Sequence, residues 1–246
     1  MTSANTVIIT GASSGIGLAL AKAYLDRGDN VVGNARTLER LQAAAASLGH
    51  PPNFLLVPGD IALRSTAEAL FSQAIATFGK VDILINNAGI FIPKPVSEYS
   101  EQDIDALINT NLKGFLFPSQ LAASHMMQNR SGHIVNITAS VALQPNSKVP
   151  ALLPIMVKGG LNQATKGLAL ELSSANVRVN AVAPGIIETP LHGNYADAQT
   201  FLNSLSPSGK TGNTRDIVDA VLYLTDSQFV SGTILAVDGG GTAGTW

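Results

Sequence analysis

An apolar run, Val7-Ile8-Ile9, stops at Thr10-Gly11-Ala12-Ser13-Ser14-Gly15-Ile16-Gly17, and a helical pattern from Leu18 to Leu25 follows at once. This order of strand, glycine turn and helix constrains the fold more than the glycines alone. A turn without side chains lets backbone N–H groups and a helix N-terminus approach a pyrophosphate closely. The glycines are spaced G-x-x-x-G-x-G, not the G-x-G-x-x-G of the more familiar dinucleotide fingerprint. Their place behind a buried strand points to a nucleotide cofactor.

Apolar β-type runs then alternate with helical stretches along the chain. Val7–Ile9, Val31–Gly33, Phe54–Val57, Ile83–Ile85, His133–Ile137, Val177–Val182 and Thr233–Val237 read as seven strands. Helices fit near 15–27, 37–48, 64–78, 101–130, 155–175 and 214–225. Strands recurring with helices between them imply right-handed crossovers and a parallel sheet covered on both faces. The expected fold is α/β: one Rossmann-like, doubly wound domain over residues 1–246, with a seven-stranded parallel sheet. Such a fold places ligand chemistry beyond the C-terminal strand ends, at the topological switch point. Residues 186–213, with their Gly, Asn, Ser and Pro, read as an irregular loop suited to covering a substrate.

Bulk properties narrow the function classes. Hydrophobic residues make up 46% of the chain and charged residues only 13%, so much of it should be buried between layers or subunits. A formal net charge of −2, with no run of Lys or Arg, leaves no footprint for nucleic acid. No apolar stretch is long enough to span a bilayer, and a cleaved leader is not expected, so the expectation is a soluble cytoplasmic protein. Disulfides and thiolate metal sites are excluded because there is no Cys, and the four His are scattered away from ligand spacing.

Residues with chemical potential fall at the strand ends. Asn86-Asn87-Ala88-Gly89 closes the fourth strand, and Asn111 lies within Asn109–Gly114. Lys158 opens a helix after the fifth strand, Pro184-Gly185-Ile186-Ile187-Glu188-Thr189 follows the sixth, and Val237-Asp238-Gly239-Gly240 ends the seventh. With T-G-x-x-x-G-x-G, N-N-A-G and P-G-x-x-x-T in order, the chain resembles the short-chain dehydrogenase/reductase family over residues 5–241. The resemblance implies that Gly11, Ser13, Ser14, Gly15, Ile16 and Gly17 cradle the pyrophosphate and adenosine ribose. Asp60 and Ile61 would meet the adenine, while Asn87, Ala88 and Gly89 would floor the ribose. Pro184, Gly185, Ile187 and Thr189 would orient the nicotinamide amide, and Lys158 would hold the nicotinamide ribose. Relatives that prefer NAD usually carry a carboxylate at the end of the second strand. Here Ala35 and then Arg36 stand there, and a guanidinium can pair bidentately with a 2′-phosphate. NADP(H) is the expected cofactor.

One departure controls the functional reading. The family's active site is usually Tyr-x-x-x-Lys, with an upstream Ser and an Asn on the preceding long helix. In this chain the segment is Pro154-Ile155-Met156-Val157-Lys158. In relatives the phenol protonates the carbonyl oxygen as hydride arrives, and proline has no proton to give. Its ring suits the first turn of a helix, where the missing N–H is unused. Ser140 lies 14 residues before Pro154, a slightly longer interval than the family usually shows. Thr138 and Ser140 are both available to bond a substrate oxygen, and Asn111 and Lys158 match the pattern. Substitute proton donors are Tyr99, Tyr195, His192, whose imidazole titrates near neutrality, or a water held by Ser140, Asn111 or Lys158. Ile90–Ile92, Val141–Pro154 and Leu191–Leu205 offer a largely apolar pocket wall.

The expected function is NADP-dependent hydride transfer to a carbonyl or imine of an apolar small molecule, or the reverse, with a non-standard proton donor. A cofactor-binding sensor without turnover and a non-redox enzyme are the competing readings. Relatives commonly form tetramers through two long helices and the last strand, and the Ala- and Leu-rich stretch 161–175 fits a homotetramer.

Overall fold

The computed structural model describes residues 4–190 and 195–244, apart from the side chains of 195–198. Seven strands form one parallel sheet: β1 (Thr6–Thr10), β2 (Asn30–Ala35), β3 (Phe54–Pro58), β4 (Ile83–Asn86), β5 (Gly132–Ile137), β6 (Val177–Pro184) and β7 (Ile234–Val237). Their spatial order is β3-β2-β1-β4-β5-β6-β7. The direction of winding reverses between β1 and β4, so the crevice for a ligand opens there, beyond Thr10 and Asn86. Register runs straight across the middle, with Ile8 opposite both Val32 and Leu84, and Ile134 opposite Leu84 and Val179.

The sheet has two apolar faces because alternate residues point to opposite sides. Val7 and Ile9 join Ile83, Ile85, Val135 and Val182 in one core, closed by Leu20, Tyr24, Val221 and Leu224. Those four belong to helices α1 (Gly15–Asp26) and α8 (Thr214–Asp226). Ile8, Val32, Leu84, Ile134 and Val179 face the other core, filled by Leu70, Phe71, Met126 and Leu172. Leu70 and Phe71 lie on α3 (Arg64–Phe78) and Met126 on α5 (Gly114–Asn129). The remaining helices are α2 (Leu38–Ser47), α4 (Glu101–Leu107), α6 (Leu152–Glu171) and α7 (Tyr195–Asn203). None of the helices among the described residues is long and apolar enough to cross a membrane.

Three expectations need correction. The predicted helix over 101–130 is two helices joined by a π-helical segment, Ile108–Lys113. It opens on a reciprocal Ser100–Asp103 capping box, and the extra residue of the wider turn places Asn111 inside the protein. The helix carrying Lys158 begins at Leu152, so Pro154 is in its first turn and Lys158 in its second. Finally, 186–213 is not uniformly irregular. It contains α7, and Ile187 pairs with Gly212 as an isolated parallel bridge.

Candidate active site

The glycine turn is shaped by backbone crowding. Gly11 and Gly15 adopt φ of +70° and +53°, which a side chain would strain. A Cβ on Gly17 would collide with the Gly11 carbonyl oxygen and with Asn87 Nδ2, so the helix can start this close to the strand only without a side chain there. The turn is fastened on both sides. Ala12 N–H donates to the Asn34 carbonyl at 2.8 Å, and Asn87 Nδ2 donates to the carbonyls of Thr10 and Gly11 at 2.9 and 3.3 Å. Thr10 Oγ1 accepts the N–H groups of Asn87 and Ala88, each at 3.0 Å. Thr10 was not among the residues singled out in the sequence, although its threonine opens the glycine motif.

At the head of α1, Ser14 occupies the cap position but makes no capping bond with its side chain, so the first N–H groups of the helix have no side-chain acceptor there. Such an end, beside a turn that tolerates no Cβ, fits a bound phosphate group. Ser13 and Ile16 flank it, half-buried. Thr189 closes over the turn, its Cβ being 3.3 Å from where a Cβ on Gly15 would stand. Behind Thr189, Pro184 ends β6, and Gly185 N–H donates to the Val237 carbonyl at 2.9 Å. Ile187 is buried at the bridge to Gly212.

Arg36 is exposed at the end of β2, and no ion pair or hydrogen bond ties it to the described residues. The nearest carboxylate in the chain, Glu39, is held below the usual carboxylate range by its own backbone N–H and the Thr37 hydroxyl. Asp60 Oδ1 accepts Ala62 N–H at 3.0 Å in the turn after β3. Ile61 is buried among core residues and packs against Gly114, which makes it part of the frame as much as of the cleft.

Across the crevice, Asn111 and Lys158 converge on Gly89. A Cβ on Gly89 would stand 3.2 Å from Asn111 Oδ1 and 3.3 Å from Lys158 Nζ. The Asn111 amide is bound at both ends to one residue: Oδ1 accepts Ile90 N–H at 2.8 Å, and Nδ2 donates to the Ile90 carbonyl at 2.9 Å. Lys158 Nζ donates to the Ile137 carbonyl at 2.8 Å. Enclosure by protein lowers its pKa from 10.5 to about 8, although part of the side chain stays accessible.

The two upstream hydroxyls differ. Thr138 is buried and its Oγ1 donates to the Val182 carbonyl at 3.3 Å, a strand-end bond. Ser140 begins a short helical turn, Ser140–Ala142, and its hydroxyl has no partner among the described residues. That turn packs on the start of α6, since the Ala142 carbonyl is 3.9 Å from the Cβ position of Gly159. Pro154 is buried one turn before Lys158. Of the alternative donors, Tyr99 is tied by its hydroxyl to the Ile92 carbonyl at 2.9 Å. His192 lies outside the described residues, as does the side chain of Tyr195.

The short chain dehydrogenase family matches residues 5–200. The chain belongs to that family. This short-chain dehydrogenase is 37% identical over 239 residues to the (2S)-[(R)-hydroxy(phenyl)methyl]succinyl-CoA dehydrogenase subunit BbsD of Thauera aromatica, covering 95% of this chain and 94% of that one. Its fold is similar to that of ElxO with NADP bound, at a TM-score of 0.93 and 28% identity over 98% of this chain and 100% of the other. It is similar as well to the 3-ketoacyl-(acyl-carrier-protein) reductase of Brucella melitensis complexed with NADH, at a TM-score of 0.91, 28% identity and the same coverage. Membership places the chain among oxidoreductases.

Proposed function

We propose that this protein is an NADP-dependent oxidoreductase that reduces a carbonyl or imine of an apolar small molecule, with Pro154 standing where the family carries its catalytic Tyr. The observation that carries the reading is the Lys158 ammonium held against the Ile137 carbonyl beside Gly89. A protein that only bound a nucleotide could use Lys158 on the nicotinamide ribose, but has no use for Asn111 set beside it at the same glycine.

In this reading Gly11, Ser13, Ser14, Gly15, Ile16 and Gly17 hold the pyrophosphate, and Arg36 pairs with the 2′-phosphate. Asp60 and Ile61 border the adenine, Asn87, Ala88 and Gly89 the ribose. Pro184, Gly185, Ile187 and Thr189 orient the nicotinamide amide. When bound, the dinucleotide supplies a hydride. Ser140, whose hydroxyl is unspent, orients the substrate oxygen, while Asn111 fixes Ile90 and so the edge of the substrate space. Exposed Leu143, Leu152 and Met156 give that space an apolar border. Arg36 favours NADP(H) over NAD(H) because it is unpaired among the described residues and β2 ends on Ala35 rather than on a carboxylate. Pro154 favours the competing reading of a sensor without turnover, since it removes the family's acid.

The test is consumption of NADPH and NADH by the purified protein against ketones, α-diketones, quinones and cyclic imines, with cofactor binding measured in the same samples. Turnover with NADPH is expected. Arg36→Ala should weaken NADPH binding by about 10- to 100-fold, the loss of one charge-assisted contact, and leave NADH binding unchanged. Tight NADPH binding with no turnover across the panel would establish the sensor instead.

A further inference from the structure

We infer that Lys158 is itself the proton donor to the substrate oxygen, taking over directly the step that a phenol performs elsewhere in the family. The inference rests on the oxidoreductase reading above and names its missing acid. Three features of the site carry it. Pro154 and Lys158 are one turn apart on the same face of α6, so removing the phenol from position 154 leaves no side-chain hydroxyl there to stand between the ammonium and the cleft. Lys158 Nζ spends one donor, on the Ile137 carbonyl, and an ammonium has three. Nζ also comes up against Gly89, which has no side chain to cover it and is exposed.

The surroundings make this ammonium a usable acid. The neighbouring Asn111 amide cannot take its proton and is committed to Ile90. The groups nearest Nζ are uncharged: the Ile137 carbonyl on β5, Asn111 on the π segment, and the turn holding Ser140 and Ala142; of the carboxylates on α4, which also packs on α6, Asp103 is paired with Lys94 and Glu101 and Asp105 are exposed. The charged residues of those elements are elsewhere. His133 and Arg178 are at the opposite ends of β5 and β6, and Lys113 is exposed. Burial alone accounts for the lowered pKa of about 8, with no carboxylate to restore it. A general acid works best when its pKa lies near the working pH.

In the step, the carbonyl carbon accepts a hydride, that is one proton nucleus and two electrons, from a reduced nicotinamide, and the C=O π bond opens. Lys158 gives one proton to the oxygen, yielding the alcohol, the oxidised nicotinamide and a neutral Lys158 amine. The amine regains its proton from solvent.

The experiment uses the full-length protein, NADPH and an aromatic α-diketone, 1-phenyl-1,2-propanedione, in single turnovers from pH 6.5 to 10. The rate should be level at low pH and fall about tenfold per pH unit above about 8. Lys158→Arg keeps the charge but cannot release a proton, so its rate at saturating NADPH should fall about 10²- to 10⁴-fold, with NADPH binding measured alongside because the same side chain also stands at the nicotinamide ribose. Pro154→Tyr should make the rate at neutral pH depend less on Lys158, so that adding Lys158→Arg to it costs less than Lys158→Arg costs the parent. Independently of turnover, competitive labelling of the unloaded protein with acetic anhydride, read on the Lys158 peptide by mass spectrometry, should show an amine titrating near pH 8. A flat profile, with Lys158→Arg as fast as the parent, would overturn Lys158 as donor and leave the oxidoreductase standing. Absence of turnover in the parent, with NADPH bound, would sink both.

Discussion

His133 lies at the other end of the sheet from Lys158, buried, with Asn180 Nδ2 3.1 Å from its Nε2 and no partner for Nδ1 among the described residues. Burial first, and then the Arg178 guanidinium, lower its pKa from 6.5 to about 3. The folded chain therefore keeps this ring neutral at pH values where the unfolded chain protonates it. Its contribution to stability is intact above pH 6.5 and is lost as the pH falls toward 3, at about 1.4 kcal/mol per pH unit. His133→Gln should flatten the dependence of urea midpoint on pH between about 6 and 4; equal slopes in the two proteins would refute this. At the same scale, the sequence could identify the residue types at the site but not what each side chain is spent on. Thr138 and Ser140 read as two hydroxyls that could each bond a substrate oxygen, with Ser140 preferred. The structure separates them because Val182, on a strand 44 residues away in sequence, offers a carbonyl to one and not to the other. The full commitment of Asn111 to Ile90 was equally invisible, as was Asn162, whose amide is buried without a partner among the described residues on the turn of α6 after Lys158.

Among the elements, α5, β4, β5 and α6 are joined by a row of buried polar groups. Asn86 Nδ2 donates to Ser119 Oγ at 3.0 Å and to Asn136 Oδ1 at 2.9 Å. Asn136 Nδ2 donates to Thr165 Oγ1 at 2.9 Å, and that hydroxyl donates to the Leu161 carbonyl at 2.8 Å. This row fixes α6, and with it Lys158, against the sheet. Asn136→Ala should cost about 1–3 kcal/mol in urea unfolding, because it strands a donor on Asn86 in a dry place. A cost below about 0.5 kcal/mol would show that the row holds nothing. Strands were the most legible elements, since strands buried on both faces read as apolar runs that helices of 101–130 type do not mimic. The π segment was hidden because one inserted residue barely disturbs an apolar period. Helix α7 was hidden by the Gly, Asn, Ser and Pro around it, which weigh more in a window than a nine-residue helix does.

For the whole molecule, the sheet ends at an edge whose residues are only half covered. Every residue of β7 is partly exposed, while β1 and β4 are buried throughout. Beside that edge, a groove of about 480 Å³ is lined by Leu170 of α6 and Phe229, both exposed. We propose that further copies of the chain cover this side, giving the homotetramer that the stretch 161–175 suggests. Sedimentation should find about four times the chain mass of 25.5 kDa, and Phe229→Asp with Leu170→Glu should reduce it; a parent sedimenting as a monomer would defeat the assembly. The overall architecture was legible before the structure because alternation of strand and helix admits few topologies. The tetramer was expected from the family resemblance and the stretch 161–175 rather than from single residues, because an apolar residue facing a partner looks in sequence like one facing the core.

All seven strands point the same way, and this divides the molecule into a working end and an anchoring end. At the latter, Asp29 receives Asn5, Asp82 receives the Thr6 N–H at 2.8 Å, and Arg178 grips the carbonyls of Leu224 and Thr225 at 2.7 and 3.0 Å. The glycine turn, Gly89, Lys158 and Ser140 are all at the opposite rim. Tolerance to acid can therefore be rebuilt around His133 without touching a reacting group, and specificity can drift at the rim while the foundations stay fixed.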